Sequence, residues 1–351
     1  VSMRVMRWGL ILVVAVAAMA VASAEIVDSE GDVGLYTSIA LDSNGYPHIS
    51  YCDYSNLKYA YYDGSNWHIR TVCEGGKFTS IALDSQGYPH ISYYDDDNLK
   101  YAHKHTYGWS FETVDGERRV ELYESLYTSI ALDSQGYPHI SYYNATNGDL
   151  KYAYKDASGW HIETVDSAGF VEGFSSIALD SQGYPHISYY DNTNKDLKYA
   201  YKDASGWHIE TVDSEGRVGK YTSIALDSND NPHISYYDDT NGDLKYTTKQ
   251  PTIVNLQGGI TDSNGDPVAT ASMRVTIKNV DGNVVYQETL NDVIENGKFN
   301  VLLGATQKLE LWEDAAYNLV IEVDVDSTTF SQADITFGDD TPAGDVIVFY
   351  P

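Results

Sequence analysis

The chain has 351 residues, a formal net charge of −29, and 42% hydrophobic and 13% aromatic residues. Those proportions exclude a disordered chain. The acidic balance excludes a nucleic-acid partner, which needs a basic footprint to release counterions, and suits a solvated surface that attracts cations.

In chain order, the first feature is a short basic region, Arg4 and Arg7, followed by the apolar run Leu10 to Val21. The run is too short for a comfortable membrane span. Small-residue motifs follow at Ala18-Met19-Ala20 and Ala22-Ser23-Ala24. Residues 1–24 therefore read as a signal peptide cleaved after Ala20 or Ala24, giving a secreted or cell-surface protein with no membrane span after signal removal.

Residues 25–250 hold an internal repeat. Its units open at Tyr36, Phe78, Tyr127, Phe174 and Tyr221. The third and fourth share Ser-Ile-Ala-Leu-Asp-Ser-Gln-Gly-Tyr-Pro-His-Ile-Ser-Tyr-Tyr at 129–143 and 176–190. Of the 31 tyrosines, 28 fall between Tyr36 and Tyr246, so the remainder of the chain is a different domain. Each full unit contains four short runs of period two, such as 176–179, 186–190, 197–201 and 207–212, rich in β-branched and aromatic residues. Turn sequences such as Asp180-Ser181-Gln182-Gly183 separate them. Four antiparallel strands per unit predict a five-bladed β-propeller, with the Ser/Ala/Ile/Leu strand innermost.

The fifth unit stops at Leu244-Lys245-Tyr246-Thr247 without a fourth strand. Residues 25–35 match residues 210–220 at 8 of 11 positions. They are therefore expected to close the last blade by pairing beside its third strand. From 253 to 351 the runs at 253–258, 272–279, 284–289, 298–303, 318–325 and 345–349 predict a small antiparallel β-sandwich. The fold class is thus all-β: a five-bladed β-propeller followed by a small antiparallel β-sandwich.

The segments Val254 to Val268 and Asn296 to Gly304 resemble a small β-sandwich module of prokaryotic surface and fibre proteins. That resemblance implies a part for presentation or assembly. The five units resemble tachylectin-type lectins in plan. Ile140-Ser141-Tyr142-Tyr143 followed by Gly159-Trp160 is similar to the repeat of fungal fucose-binding propellers. Those lectins use an arginine and a glutamate in each pocket. No arginine recurs here from unit to unit, and no residue roles are carried over.

A residue present in every unit is either structural or part of a site repeated in each blade gap. The rim and gap residues Tyr94, Tyr143, Tyr190, Tyr237, Trp109, Trp160 and Trp207, with His139 and His186, are the glycan-binding candidates, because indole and phenol rings stack on sugar faces. Packing between blades is the commoner reading of the same rings, and a hydrogen-bonded structural histidine is the commoner reading of Pro-His-Ile-Ser. Asp239, Asn241 and Asp243 are weak calcium candidates on a loop that lacks the full pattern of a calcium hand. No other cofactor is expected. Cys52 and Cys73 form a candidate disulfide for an oxidising compartment. Asn144-Ala145-Thr146 is a glycosylation sequon on a loop expected to be exposed.

Nucleophile motifs and phosphate loops are absent from the sequence. The leading expectation is a non-enzymatic extracellular binding or adhesion protein that takes carbohydrate or another cell-surface component at repeated inter-blade sites. A structural subunit of a surface filament or coat, self-associating through the sandwich or by strand donation, is the alternative. A secreted glycoside hydrolase or lyase is the third.

Overall fold

The structure is a computed structural model. It describes residues 24–351 apart from 97, 117–125, 252–253, 260–266, 297, 305–306, 308, 313–317, 325–330, 333, 337–346 and 350–351. The described elements are all β-strands. Sheet one comprises β1 (Val33–Leu41), β2 (Pro47–Asp53), β3 (Asn56–Tyr62) and β4 (Trp67–Glu74). Sheet two comprises β5 (Lys77–Leu83), β6 (Pro89–Asp95), β7 (Asn98–His105) and β8 (Gly108–Gly116). Sheet three comprises β9 (Thr128–Leu132), β10 (Pro138–Asn144), β11 (Asp149–Asp156) and β12 (Gly159–Asp166). Sheet four comprises β13 (Val171–Leu179), β14 (Pro185–Asp191), β15 (Asp196–Asp203) and β16 (Gly206–Asp213). Each is a four-stranded antiparallel meander in chain order.

The inner strands β1, β5, β9 and β13 pack on one another in sequence, and β13 packs in turn on the first strand of sheet five, in propeller-like order. The aromatics that open consecutive units pack ring against ring. Tyr36 and Phe78 lie 4.3 Å apart, Phe78 and Tyr127 5.5 Å, Tyr127 and Phe174 5.2 Å, and Phe174 and Tyr221 4.5 Å, centroid to centroid. At Tyr36, Phe78 and Tyr221 the backbone takes φ of 53°, 54° and 54°. Register breaks at these residues, and a bulge there turns the ring out of the strand's ordinary alternation.

Sheet five departs from the expected closure. β17 (Val218–Leu226), β18 (Pro232–Asp238) and β19 (Asp243–Pro251) form its first three strands. Its fourth strand comes from the C-terminal region, which contains β20 (Val254–Gly259), β21 (Thr270–Lys278), β22 (Val284–Glu295), β23 (Lys298–Leu303), β24 (Glu310–Trp312), β25 (Asn318–Asp324), β26 (Ser331–Gln332), β27 (Asp334–Thr336) and β28 (Ile347–Phe349). β24 pairs antiparallel with β19, Lys249 opposite Trp312. That is the register of Lys202 opposite Trp207 and of Lys155 opposite Trp160. The expectation that residues 25–35 would close the last blade is therefore corrected. Val33–Leu35 instead begin β1, and Asp28 stays beside its own sheet, accepting from Tyr51 Oη at 2.7 Å and Lys58 Nζ at 3.2 Å. Asp28 thus plays toward sheet one the part that Asp213 plays toward Tyr236 and Lys245 of sheet five.

The remaining C-terminal strands make a six-stranded sheet in the order β20-β23-β22-β21-β25-β26. Its apolar face buries Leu256, Met273, Val275, Ile277, Ile294 and Ile321. Among the described residues β27 and β28 pair with each other, and β28 packs on β20. Asp281, in the turn between β21 and β22, accepts hydrogen bonds from Thr211 N and Oγ1, which docks this sheet on β16.

Candidate functional site

The recurrent residues build the gaps between sheets. On β8, β12 and β16, Glu112, Glu163 and Glu210 each accept from a lysine and an indole of the following sheet. The pairs are Lys155 and Trp160, Lys202 and Trp207, and Lys249 and Trp312. Trp109, Trp160 and Trp207 also stand edge-on to Tyr59, Tyr101 and Tyr152 of the preceding sheet at 5.6, 5.3 and 5.4 Å. Their indoles are half-buried packing rings, so the expectation that they offer open faces to a sugar is corrected. Arg70 occupies the corresponding glutamate position in sheet one.

The other glycan candidates are corrected on the same ground. Tyr94, Tyr143 and Tyr190 are buried. Tyr94 donates its hydroxyl to the Tyr143 carbonyl at 2.7 Å, Tyr143 packs edge-on to Phe170, and the Tyr190 ring carries Lys220 Nζ 5.8 Å from its centroid. Tyr237 is half-buried against Tyr221. His139 and His186 are buried, with Nδ1 bonded to the hydroxyls of Tyr152 and Tyr199, both at 2.5 Å. Their Nε2 atoms face Asp133 at 3.8 Å and Asp180 at 3.7 Å.

Burial lowers the pKa of His48, His139 and His186, and lowers that of His90 to about 4. The unfolded chain takes up protons near pH 6.5 that these folded rings refuse. Their stabilisation is therefore complete above about pH 6.5 and drains as pH falls below it, for His90 toward about 4. Replacing His90 by Gln should remove on the order of 2 kcal/mol of that acid sensitivity. Urea midpoints for wild type and variant, measured from pH 7 to pH 4, should converge as pH falls; parallel curves would contradict this.

The calcium, glycosylation and disulfide candidates also have structural explanations. Asp238 caps the loop, accepting from Thr240 N and Asn241 N at 2.9 and 3.0 Å. Asp239 is held by Arg217 at 2.7 Å and Lys220 at 3.3 Å, so its charge is already met. The Asn241 amide donates to Asp238 at 2.9 Å, and no group of three His, Cys, Asp or Glu suited to a metal occurs among the described residues. The Asn144 side chain is buried and accepts from the Thr146 and Asn147 amides, which corrects the expectation of an exposed sequon. Cys52 and Cys73 are free thiols. Both lie opposite Leu57, on the two strands flanking β3. Two strand spacings separate their backbones by roughly 9–10 Å, beyond disulfide reach. Burial raises the Cys52 thiol to about 12.

A groove of about 700 Å³ opens between sheets four and five. Sheet four contributes Asp180, Tyr184, His186, Tyr201, Lys202 and Asp203, while sheet five contributes Asp230, Asn231 and Lys249. Its position follows from a break in the repeat. The turn Asp-Ser-Gln-Gly-Tyr-Pro of sheets two to four becomes Asp227-Ser228-Asn229-Asp230-Asn231-Pro232. Asp230 keeps the glycine conformation, φ 65°, and its carboxylate accepts from Ser181 N and Oγ of sheet four at 2.9 and 2.6 Å. Asn231 replaces a tyrosine ring by a short amide, bonded to Asp227 at 2.9 Å, and leaves space beside it.

The groove's carboxylates are engaged acceptors. Asp180 takes the Gln182 and Tyr184 amides. Asp203 takes Ser205 and His208, whose hydrogen bonds hold its pKa well below the usual range. The groove thus offers fixed anionic acceptors, lysine donors and phenol rings. Of its lining, the recurrent-residue reading had named only His186. The altered turn was the legible signal for the rest.

Compared with known proteins, residues 255–335 match a family described as a domain of unknown function, DUF8740. No curated protein matches. Several solved structures are similar. An exo-β-1,3-galactanase from Phanerochaete chrysosporium is 10% identical, with 87% of this chain and 95% of that one covered and a TM-score of 0.39. A glycoside hydrolase family 43 arabinoxylan arabinofuranohydrolase from Bacillus subtilis is 10% identical, with 82% and 78% covered and a TM-score of 0.33. The SapL1 lectin, solved with α-methyl fucoside, is 12% identical, with 90% and 96% covered and a TM-score of 0.45. These matches include both glycosidases and a lectin. Repetition alone does not exclude enzymatic chemistry, and the expectation of a non-enzymatic binding or adhesion protein is withdrawn.

Proposed function

We propose that the chain is a carbohydrate-handling protein whose site is the groove between sheets four and five. The observation that supports this reading is the symmetry-breaking turn at Asp230 and Asn231, which opens the space. A saccharide matches the lining: hydroxyls donate to Asp180, Asp203 and Asp230 and accept from Lys202 and Lys249, while the Tyr184 ring covers an apolar sugar face. Each of these carboxylates accepts hydrogen bonds from neighbouring groups, and such fixed acceptors suit sugar hydroxyls.

Asn231→Tyr restores the residue of the other turns and narrows the groove without touching the sheet core. Calorimetry against a panel of neutral and acidic oligosaccharides, with reducing-end release followed in the same mixtures, tests the reading. Wild type should bind at least one member, and Asn231→Tyr should weaken it about tenfold or more, roughly 1.4 kcal/mol. Equal binding by both proteins, or none across the panel, would sink the proposal.

A further inference from the structure

The outermost sheets of the five-sheet stack carry two exposed faces that are halves of one contact. Within the chain that contact is made four times. The serine of each inner strand accepts from the isoleucine amide of the next: Ile81 N to Ser38 Oγ at 3.1 Å, Ile130 to Ser80 at 3.3 Å, Ile177 to Ser129 at 3.2 Å and Ile224 to Ser176 at 3.2 Å. Beside the last of these bonds, Ile224 joins Leu197 and Tyr199 of sheet four in one buried cluster.

At the ends the halves are bare. Ile39 is 63% exposed, whereas Ile81, Ile130, Ile177 and Ile224 are 5–8% exposed. Leu244 is 85% and Tyr246 56% exposed, where their equivalents Leu197 and Tyr199 are 0% and 2%. Ser223, next in the serine series, is exposed. β17 does not pack on β1 as the consecutive inner strands pack on each other.

We propose that these faces meet between two copies of the chain, sheet five of one against sheet one of the next. The residues that cover Leu197 and Tyr199 inside the molecule recur on sheet one, with Ile39 in the place of Ile224, so each copy carries both the face and its cover. The outer part of the seam is already supplied. Asp28 satisfies Tyr51 and Lys58 as Asp213 satisfies Tyr236 and Lys245, so the partner need provide only the inner half. Such a contact is heterologous and joins copies head to tail. In it, Ser223 Oγ accepts from Ile39 N of the next copy.

Sedimentation equilibrium from about 1 to 100 μM tests this. The wild-type average mass should exceed that of a monomer and rise with concentration. Ile39→Glu and Leu244→Glu should each weaken association about tenfold or more, because a carboxylate is buried without a partner. Mixed one to one, the two variants should form a heterodimer and stop there, since each keeps one sound face. Both residues are solvent-exposed in the single chain, so neither variant should lower its melting temperature. A wild type that stays monomeric at about 100 μM overturns the proposal. So does a mixture that stays monomeric, or a monomer that Ile39→Glu destabilises, which would report closure within one chain.

Discussion

Replacing Trp312 by Ala should cost about 3–5 kcal/mol, the range for emptying a buried aromatic site. The indole lies edge-on to Tyr199 at 4.9 Å, donates to Glu210 Oε2 at 2.7 Å, and has Lys249 Nζ 5.9 Å from its ring centroid. It belongs to β24, so the loss also releases the strand that completes sheet five. Urea unfolding of Trp312→Ala should show a lowered midpoint. It should also divide into two transitions, because the C-terminal sheet has its own buried core. A single transition at the wild-type midpoint would show that β24 does not hold the two regions together. Trp207→Ala, at the equivalent position of sheet four, is the control and should lower stability without dividing the transition.

Leu197→Ala and Leu244→Ala form the second test, at one repeat position in two sheets. Leu197 is fully buried between sheets four and five, and its truncation should cost about 2–5 kcal/mol. Leu244 stands mostly in solvent, and in dilute solution its truncation should change stability by no more than about 0.5 kcal/mol. Chemical denaturation at about 1 μM separates the two. Comparable losses at both positions would mean that the face of sheet five is covered in solution within a single chain.

Much of the architecture was legible before any coordinates. Period-two runs, the Asp-Ser-Gln-Gly turn and the proline opening the second strand placed the four strands of the fourth unit, with β13 starting at Val171 rather than Ser176. Five strands of the six-stranded C-terminal sheet were found in the same way, because each carries its own alternation, but Ser331–Gln332 and Asp334–Thr336 were not. Glu310–Trp312 was missed because three residues are too few to show a period. The apparent match of residues 25–35 to residues 210–220 was real, yet its meaning was misread. What that similarity preserves is the aspartate at 28, needed by Tyr51 and Lys58, and not the pairing of a strand.

The candidate site was less legible. Recurrence pointed to the histidines, tyrosines and tryptophans, and recurrence is what packing between equivalent sheets demands. His186 illustrates the difficulty: its side chain reaches the groove wall, yet Nδ1 is spent on Tyr199 within its own sheet. The informative residues are those that break the pattern, Asp230 and Asn231, and one altered turn among five is easily read as drift.

The sequence by itself determined the all-β class, the repeat unit and the order of strands within the first four units. These follow from local alternation and turn chemistry, which act over a few residues. Only the tertiary structure decided which strand completes sheet five, which recurrent side chains are spent on packing and which faces are left exposed. Those outcomes depend on contacts between residues far apart in the chain. Leu197 and Leu244 have the same local sequence, and only the presence or absence of a neighbouring sheet makes one a core residue and the other a surface.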